Sequence, residues 1–186
     1  MIISFSGDHG AGKSTIAKKV AKVLNYPRFY MGQMFRDMAK ERNMTVDEFN
    51  NVCKADSSLD KKIDDYILKL AKESKNFVIE SRTAWHFIPE SIKIYLKVDE
   101  KEAAKRVFKE LDNENRKNES KNFDSENEIV ESLRKRKKND DERYLKYYGL
   151  DIRKESNYNL VLDTTNLSIE EVFNKVMEFI KSKIKK

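Results

Sequence analysis

The chain has 186 residues, 39% of them hydrophobic and 38% charged, and carries a net charge of +6. That length suits one domain with a sizeable core, and the composition excludes a disordered chain. A lone cysteine, Cys53, excludes an internal disulfide, and no run reaches the roughly 18 apolar residues of a membrane span.

The apolar N-terminal run is too short for a signal peptide and has no basic stretch before it. A cytoplasmic protein is expected. The positive balance favours an anionic partner, but nucleotides, nucleic acids and acidic lipids all qualify.

"IISFS" (2–6) is a short β-branched run that stops at a glycine, as a buried strand does. "KSTIAKKVAKVLN" follows, with Ile16, Val20, Val23 and Leu24 at helical spacing. Further strands are expected at "RFY" (28–30), "FVIE" (77–80), "IKIYLKV" (92–98) and "NLVLDT" (159–164). Helical patterns lie between them. Three helix starts carry capping spacing: Thr45 with Glu48, Asp99 with Glu102, and Ser168 with Glu171. Residues 112–128 are rich in Asn, Glu and Lys and read as a mobile connection. A charged helix follows over 129–149, and "KSKIKK" closes the chain as a solvated helix end. Strands alternating with helices imply an α/β fold, a parallel sheet covered by helices on both faces.

Three of the five glycines fall in "SGDHGAGKST" (6–15). Gly7-Asp8-His9-Gly10-Ala11-Gly12-Lys13-Ser14 fits G-x-x-x-x-G-K-[ST] at every fixed position, between a strand and a helix. Backbone N–H groups must turn inward around a phosphate there, in conformations that a Cβ obstructs. The following helix adds its N-terminal N–H groups and dipole. Lys13 supplies a point charge for the β- and γ-phosphates. The Ser14 hydroxyl is placed for Mg²⁺, with Glu80 either facing the hydration shell of that ion or pairing with a lysine. Thr15 would meet the α-phosphate region. ATP with Mg²⁺ is the expected ligand.

A GTPase switch is excluded: no Asp stands three residues before any glycine, and no N-K-x-D reader occurs. A motor ATPase needs a longer chain. A small kinase with a phosphorylated acceptor must gather several anions, so arginines are expected from separate segments. Arg36, Arg82, Arg136 and Arg143 answer that need, and the last two stand two helical turns apart on one face. Trp85 reads as core packing. His86 is not needed as a base, because transfer between phosphates requires none.

These stretches, "MGQMFRDMAKERNMTVDEFN", "FVIESRTAW", "RYLKYYGLDI" and "NLVLDTTNLSIEEV" with the glycine loop, resemble the cytidylate kinase family in its archaeal-type branch. The resemblance runs over nearly the whole chain and is weakest over about 107–128. It implies a P-loop kinase core with a five-stranded parallel sheet in a single domain over 1–186. It further implies an acceptor-binding helical part about 31–75 and a lid about 107–145. It implies transfer of the γ-phosphate of ATP to CMP or dCMP by a monomer, with no membrane and no nucleic acid as partner. Gly32 and Arg36 would then bind the acceptor, as would Arg82, which stands in the arginine position of a (D/E)-G-R motif. Arg136, Asp140 and Arg143 would serve transferring phosphate, acceptor and lid closure. Asn166 and Leu167 would frame the adenine.

Met31, Gln33 and Ser81 depart from commoner family residues, so AMP or UMP stays open as acceptor. The run "RKRKK" leaves open a nucleic-acid-associated ATP-binding protein, although no aromatic-interleaved basic stripe accompanies it.

Overall fold

In the computed structural model, which describes residues 1–110, 123 and 125–184, every residue of β1 (Ile2–Gly7) is buried. A central strand of a parallel sheet requires this, since helices cover both of its faces. Around it stand β2 (Arg28–Tyr30), β3 (Phe77–Glu80), β4 (Ile92–Lys97) and β5 (Leu160–Asp163), all parallel, in the order β2-β3-β1-β4-β5. The expected strands are all present, with Val98, Asn159 and Thr164 falling just outside them.

Side-chain alternation along β1 splits the interior. Ile3 and Phe5 pack with α1 (Lys13–Leu24), α6 (Glu100–Phe108) and α8 (Ile169–Ile184). Ile2 packs on the other face, where α2 (Met31–Lys40), α3 (Val46–Cys53) and α4 (Ser58–Glu73) contribute Met38, Phe49 and Ile67. A short α5 (Ala84–Phe87) closes that side. Trp85 is buried against Tyr158, as expected of a packing residue, and its Nε1 donates to the Arg82 carbonyl at 2.8 Å.

Capping chemistry places the helix starts. The Thr45–Glu48 box is complete, Asp99 accepts from Lys101 and Glu102 N–H groups, and Ser168 and Glu171 bond reciprocally. The long α7 runs from Glu126 to Tyr148. The Ser125 hydroxyl caps it by accepting from the Glu128 N–H at 3.3 Å, so residues 126–128 are helix and not connection. Most of the connection expected over 112–128 lies outside the described residues, as do Lys185 and Lys186. Gly149, at φ 65°, ends α7. This helix crosses from the α6 side to α3, where Ser132 bonds Asp47 at 3.2 Å and Asn139 bonds Asn51 at 3.2 Å.

β1 lies where the chain order reverses across the sheet, with β3 on one flank and β4 on the other. Such a switch point opens a crevice at the carboxyl ends of the strands. The glycine loop leaves β1 into that crevice.

At Gly7, φ is +139° and a Cβ would stand 2.1 Å from the Leu96 carbonyl oxygen. Gly7→Ala should therefore cost about 2 kcal/mol or more and lower Tm by about 5 °C or more. Thermal unfolding followed by circular dichroism measures it; an unchanged Tm would contradict this approach of the loop to β4.

Candidate active site

Gly12, at φ +78°, is the N-cap of α1, so Lys13, Ser14 and Thr15 form its first turn. First-turn N–H groups have no partner within the helix and point toward an anion. His9, Gly10, Ala11, Gly12, Lys13, Ser14 and Thr15 all line one cavity of about 1100 Å³. Gly7 and Asp8, expected in the same cradle, shape the loop from behind. The Asp8 N–H is spent on the Leu96 carbonyl at 2.9 Å, and neither residue reaches the cavity lining.

Lys13 is half-buried beside the loop. Its Nζ donates to the carbonyls of Gly7, at 3.0 Å, and Asp8. Burial, then the neighbouring Arg82 charge, holds its pKa well below the usual lysine range. A half-buried cation whose hydrogen bonds go to carbonyl dipoles gains from an arriving anion. Beside it the Ser14 hydroxyl donates to Glu80 Oε2 at 2.7 Å. The other Glu80 oxygen pairs with Arg28, Nε at 2.6 Å and Nη2 at 2.5 Å. The partner is thus an arginine, not the lysine considered from the sequence, and Glu80 still faces Ser14.

Arg82 follows β3 and reaches across to the loop. It donates to the Gly7 carbonyl, to His9 Nε2 at 2.8 Å, and to Asp140 Oδ2 at 3.2 Å. Burial, followed by the charges of Arg136 and Arg82, lowers the His9 pKa well below its usual value, so the ring is neutral at neutral pH. Asp140 is buried on α7. Burial alone would raise its pKa, but Arg82, His9 and Arg143 together hold the carboxyl well below the usual carboxylate range.

Arg143 stands one turn further on α7, 3.2 Å from Asp140 Oδ1 and 3.1 Å from Asp60 Oδ2, and donates to Asn50 Oδ1. Its guanidinium carbon lies 5.6 Å from the Phe35 ring centroid and 5.0 Å from that of Tyr144. Burial lifts the Asp60 pKa to about 6, against the pull of Arg143. Arg136 is buried two turns earlier on the same face and lines the cavity, with Asp47 3.9 Å away.

Arg36 is buried on α2, not solvated. It donates to the Tyr30 hydroxyl, and its guanidinium carbon is 4.9 Å from the Tyr30 ring centroid. Arg28 lies 5.1 Å from the same ring. Gly32 lines the cavity there, and a Cβ on it would meet the Tyr30 ring at 2.6 Å. Leu167 and Arg106 also line the cavity, while Asn166 does not reach the lining.

The cavity thus brings together Lys13, Arg36, Arg82, Arg136, Asp140 and Arg143. Sequence reasoning missed Arg28, Asn50, Asp60, Asp64 and Arg106, which also line it. Arg106 donates to the carbonyls of Thr164 at 2.8 Å and Thr165 at 3.1 Å. Only Asp60 and Asp64 left a signal, as carboxylates on the apolar side of an amphipathic helix pattern.

A profile described as the cytidylate kinase-like family matches residues 2–166. The cytidylate kinase of Sulfolobus acidocaldarius is 35% identical over 185 residues, covering 98% of this chain and 96% of that one. An S-adenosylmethionine-dependent nucleotide dehydratase of Lacinutrix mariniflava is 31% identical over 177 residues, 95% of this chain. The chain spans 35% of that longer relative's length. Among solved structures, shikimate kinase of Acinetobacter baumannii in complex with shikimate superposes with a TM-score of 0.60 at 16% identity, covering 98% of this chain and 93% of that one, a likeness of fold. The family match takes in β1 through the loop after β5, and on it the chain belongs to the cytidylate kinase-like family.

Proposed function

We propose that this protein transfers the γ-phosphate of ATP to CMP or dCMP, giving ADP and (d)CDP. The observation that carries the proposal is the position of Arg82. One guanidinium touches the glycine loop at Gly7 and His9 and, through Asp140, is tied to Arg143 among α3 and α4. A donor held on the loop and an acceptor held among α2, α3 and α4 would meet beneath it. The relatives named cytidylate kinase support the choice of acceptor.

Transfer between two phosphates has little covalent chemistry for a protein to perform, so positioning and cations do the catalysis. Lys13 and the first turn of α1 would hold the donor phosphates. Arg36 and Arg136 would hold the acceptor phosphate, and Arg82 would balance charge on the phosphoryl group in flight. Neutral His9 orients Arg82 and need not move a proton. The hydroxyl of Ser14 and the carboxylate of Glu80 are hard oxygen donors side by side, which suits Mg²⁺. When bound there, Mg²⁺ would neutralise charge shared by the β- and γ-phosphate oxygens. Leu167 and Arg106 remain for the adenine.

The acceptor AMP or UMP is the second form of this reading: Gln33 lines the cavity, where its amide donates to Asp37 at 2.8 Å. The nucleic-acid reading loses support from the fate of "RKRKK". Arg136 is buried, Arg134 pairs with Glu100 and Glu131, each at 2.9 Å, and Lys138 lies 3.9 Å from Glu142. No helix among the described residues is long and apolar enough to cross a membrane. A cytoplasmic monomer is part of this proposal.

Coupled ADP-release assays with CMP, dCMP, UMP, AMP, GMP and shikimate test the acceptor. CMP and dCMP should be turned over fastest; no turnover of any nucleoside monophosphate would end the proposal. Lys13→Ala should lower kcat/KM by about 10²–10³-fold or more with an unchanged circular-dichroism spectrum. Arg143→Ala leaves Asp60 without its cation and Asp140 with Arg82 alone, and should cost about 3 kcal/mol of stability. Denaturant unfolding reads that loss; a variant as stable as the parent would show the buried pair to be dispensable.

A further inference from the structure

An acidic residue stands inside the anion-binding loop. Asp8 is the first residue after Gly7, and its carboxylate belongs to a loop whose use, on the reading above, is to hold a triphosphate. A carboxylate beside bound phosphates repels them. The fold disposes of this charge in a definite way.

Arg153, in the segment between α7 and β5, donates from Nη1 to Asp8 Oδ1 at 2.7 Å and from Nε to Asp141 Oδ1 at 2.7 Å. The Tyr95 hydroxyl on β4 donates to the same Asp8 oxygen at 3.1 Å and lies 3.0 Å from Arg153 Nη1. The Val98 N–H reaches the other Asp8 oxygen at 3.4 Å. The Asp8 side chain is therefore turned away from the cavity, toward β4 and the base of α7. Arg153 Nη2 is buried and has no hydrogen-bond partner among the described residues. A guanidinium taken from water with one donor unsatisfied costs stability. Contacts with Asp8 and Asp141 offset that cost here.

We propose that Arg153 is a positioning residue for the phosphate loop: it neutralises Asp8, draws its carboxylate out of the phosphate cradle, and fastens the loop to α7 through Asp141. The loop backbone then keeps a positive face although its own sequence contains an acid. Because Asp141 adjoins Asp140, the same guanidinium joins the loop to the helix that carries Arg136 and Arg143.

The proposal rests on the reading of the loop as the ATP site, so its test uses ATP binding and not the acceptor. Equilibrium titration with ATP and Mg²⁺ compares the parent with Arg153→Gln, Arg153→Lys, Asp8→Asn and the Arg153→Gln/Asp8→Asn double variant, each checked for folding by circular dichroism. Arg153→Gln should weaken ATP binding about tenfold, and Arg153→Lys, which keeps the charge, by less than about threefold. In the Asp8→Asn background the Arg153→Gln loss should shrink to under about threefold, because the charge to be neutralised is gone. A plain structural brace would give the same loss in both backgrounds, and that result overturns the proposal. ATP binding by Arg153→Gln equal to that of the parent also overturns it. A parent protein that does not bind ATP would refute the reading of the loop and this proposal together.

Discussion

Asp140 lies 3.2 Å from a half-buried Arg82 on one side and 3.2 Å from Arg143 on the other, and is buried together with Arg143. Neither arginine could be taken from water alone, since an unpaired buried charge is far costlier than a paired one. Arg82 comes from the end of β3 and Arg143 from α7, whose own partners Asn50 and Asp60 come from α3 and α4. One carboxylate therefore ties the glycine loop, the sheet edge and the helical half into a single wall. Its depressed pKa says that the charge is present throughout the ordinary pH range.

The loop at the other end of this network is built before any ligand arrives. Its glycines meet constraints from outside the loop: Gly7 from the Leu96 carbonyl, Gly10 from Ala103 on α6. The lysine ammonium waits on two backbone carbonyls, and the serine hydroxyl on a carboxylate. Binding replaces these partners and does not have to order the groups first, which lowers the entropic cost of association.

The same economy governs the acidic groups. Asp140 serves Arg82 and Arg143, Asp60 serves Arg143, Glu80 serves Arg28 and Ser14, and Asp8 serves Arg153. Arg28, Arg82 and Arg143, which line the cavity, each have an acidic neighbour that fixes the direction of the guanidinium. A positively lined site can thus persist without ligand, despite the mutual repulsion of its arginines.

The glycine loop, the alternation of strands and helices, and the capped helix starts were legible in the sequence because they are local. Phosphate-cradling geometry needs glycine at set spacing, and buried parallel strands need continuous apolar runs. Arg36, Arg82, Arg136 and Arg143 were legible as dispersed cations, but their partners were not. Nothing along the chain links Asp8 to Arg153, or Glu80 to Arg28, since those pairs are far apart in sequence. Arg106 and Arg153 stand among other charged residues, so nothing local singles them out. By itself, then, the sequence determined the strand–loop–helix that binds phosphate and the two-sided α/β frame, both set by short-range sterics and periodicity. Only tertiary structure decided which guanidinium meets which carboxylate and which of them face the cavity. Those choices are made by strand order and helix packing, which bring residues separated by most of the chain to within hydrogen-bond distance.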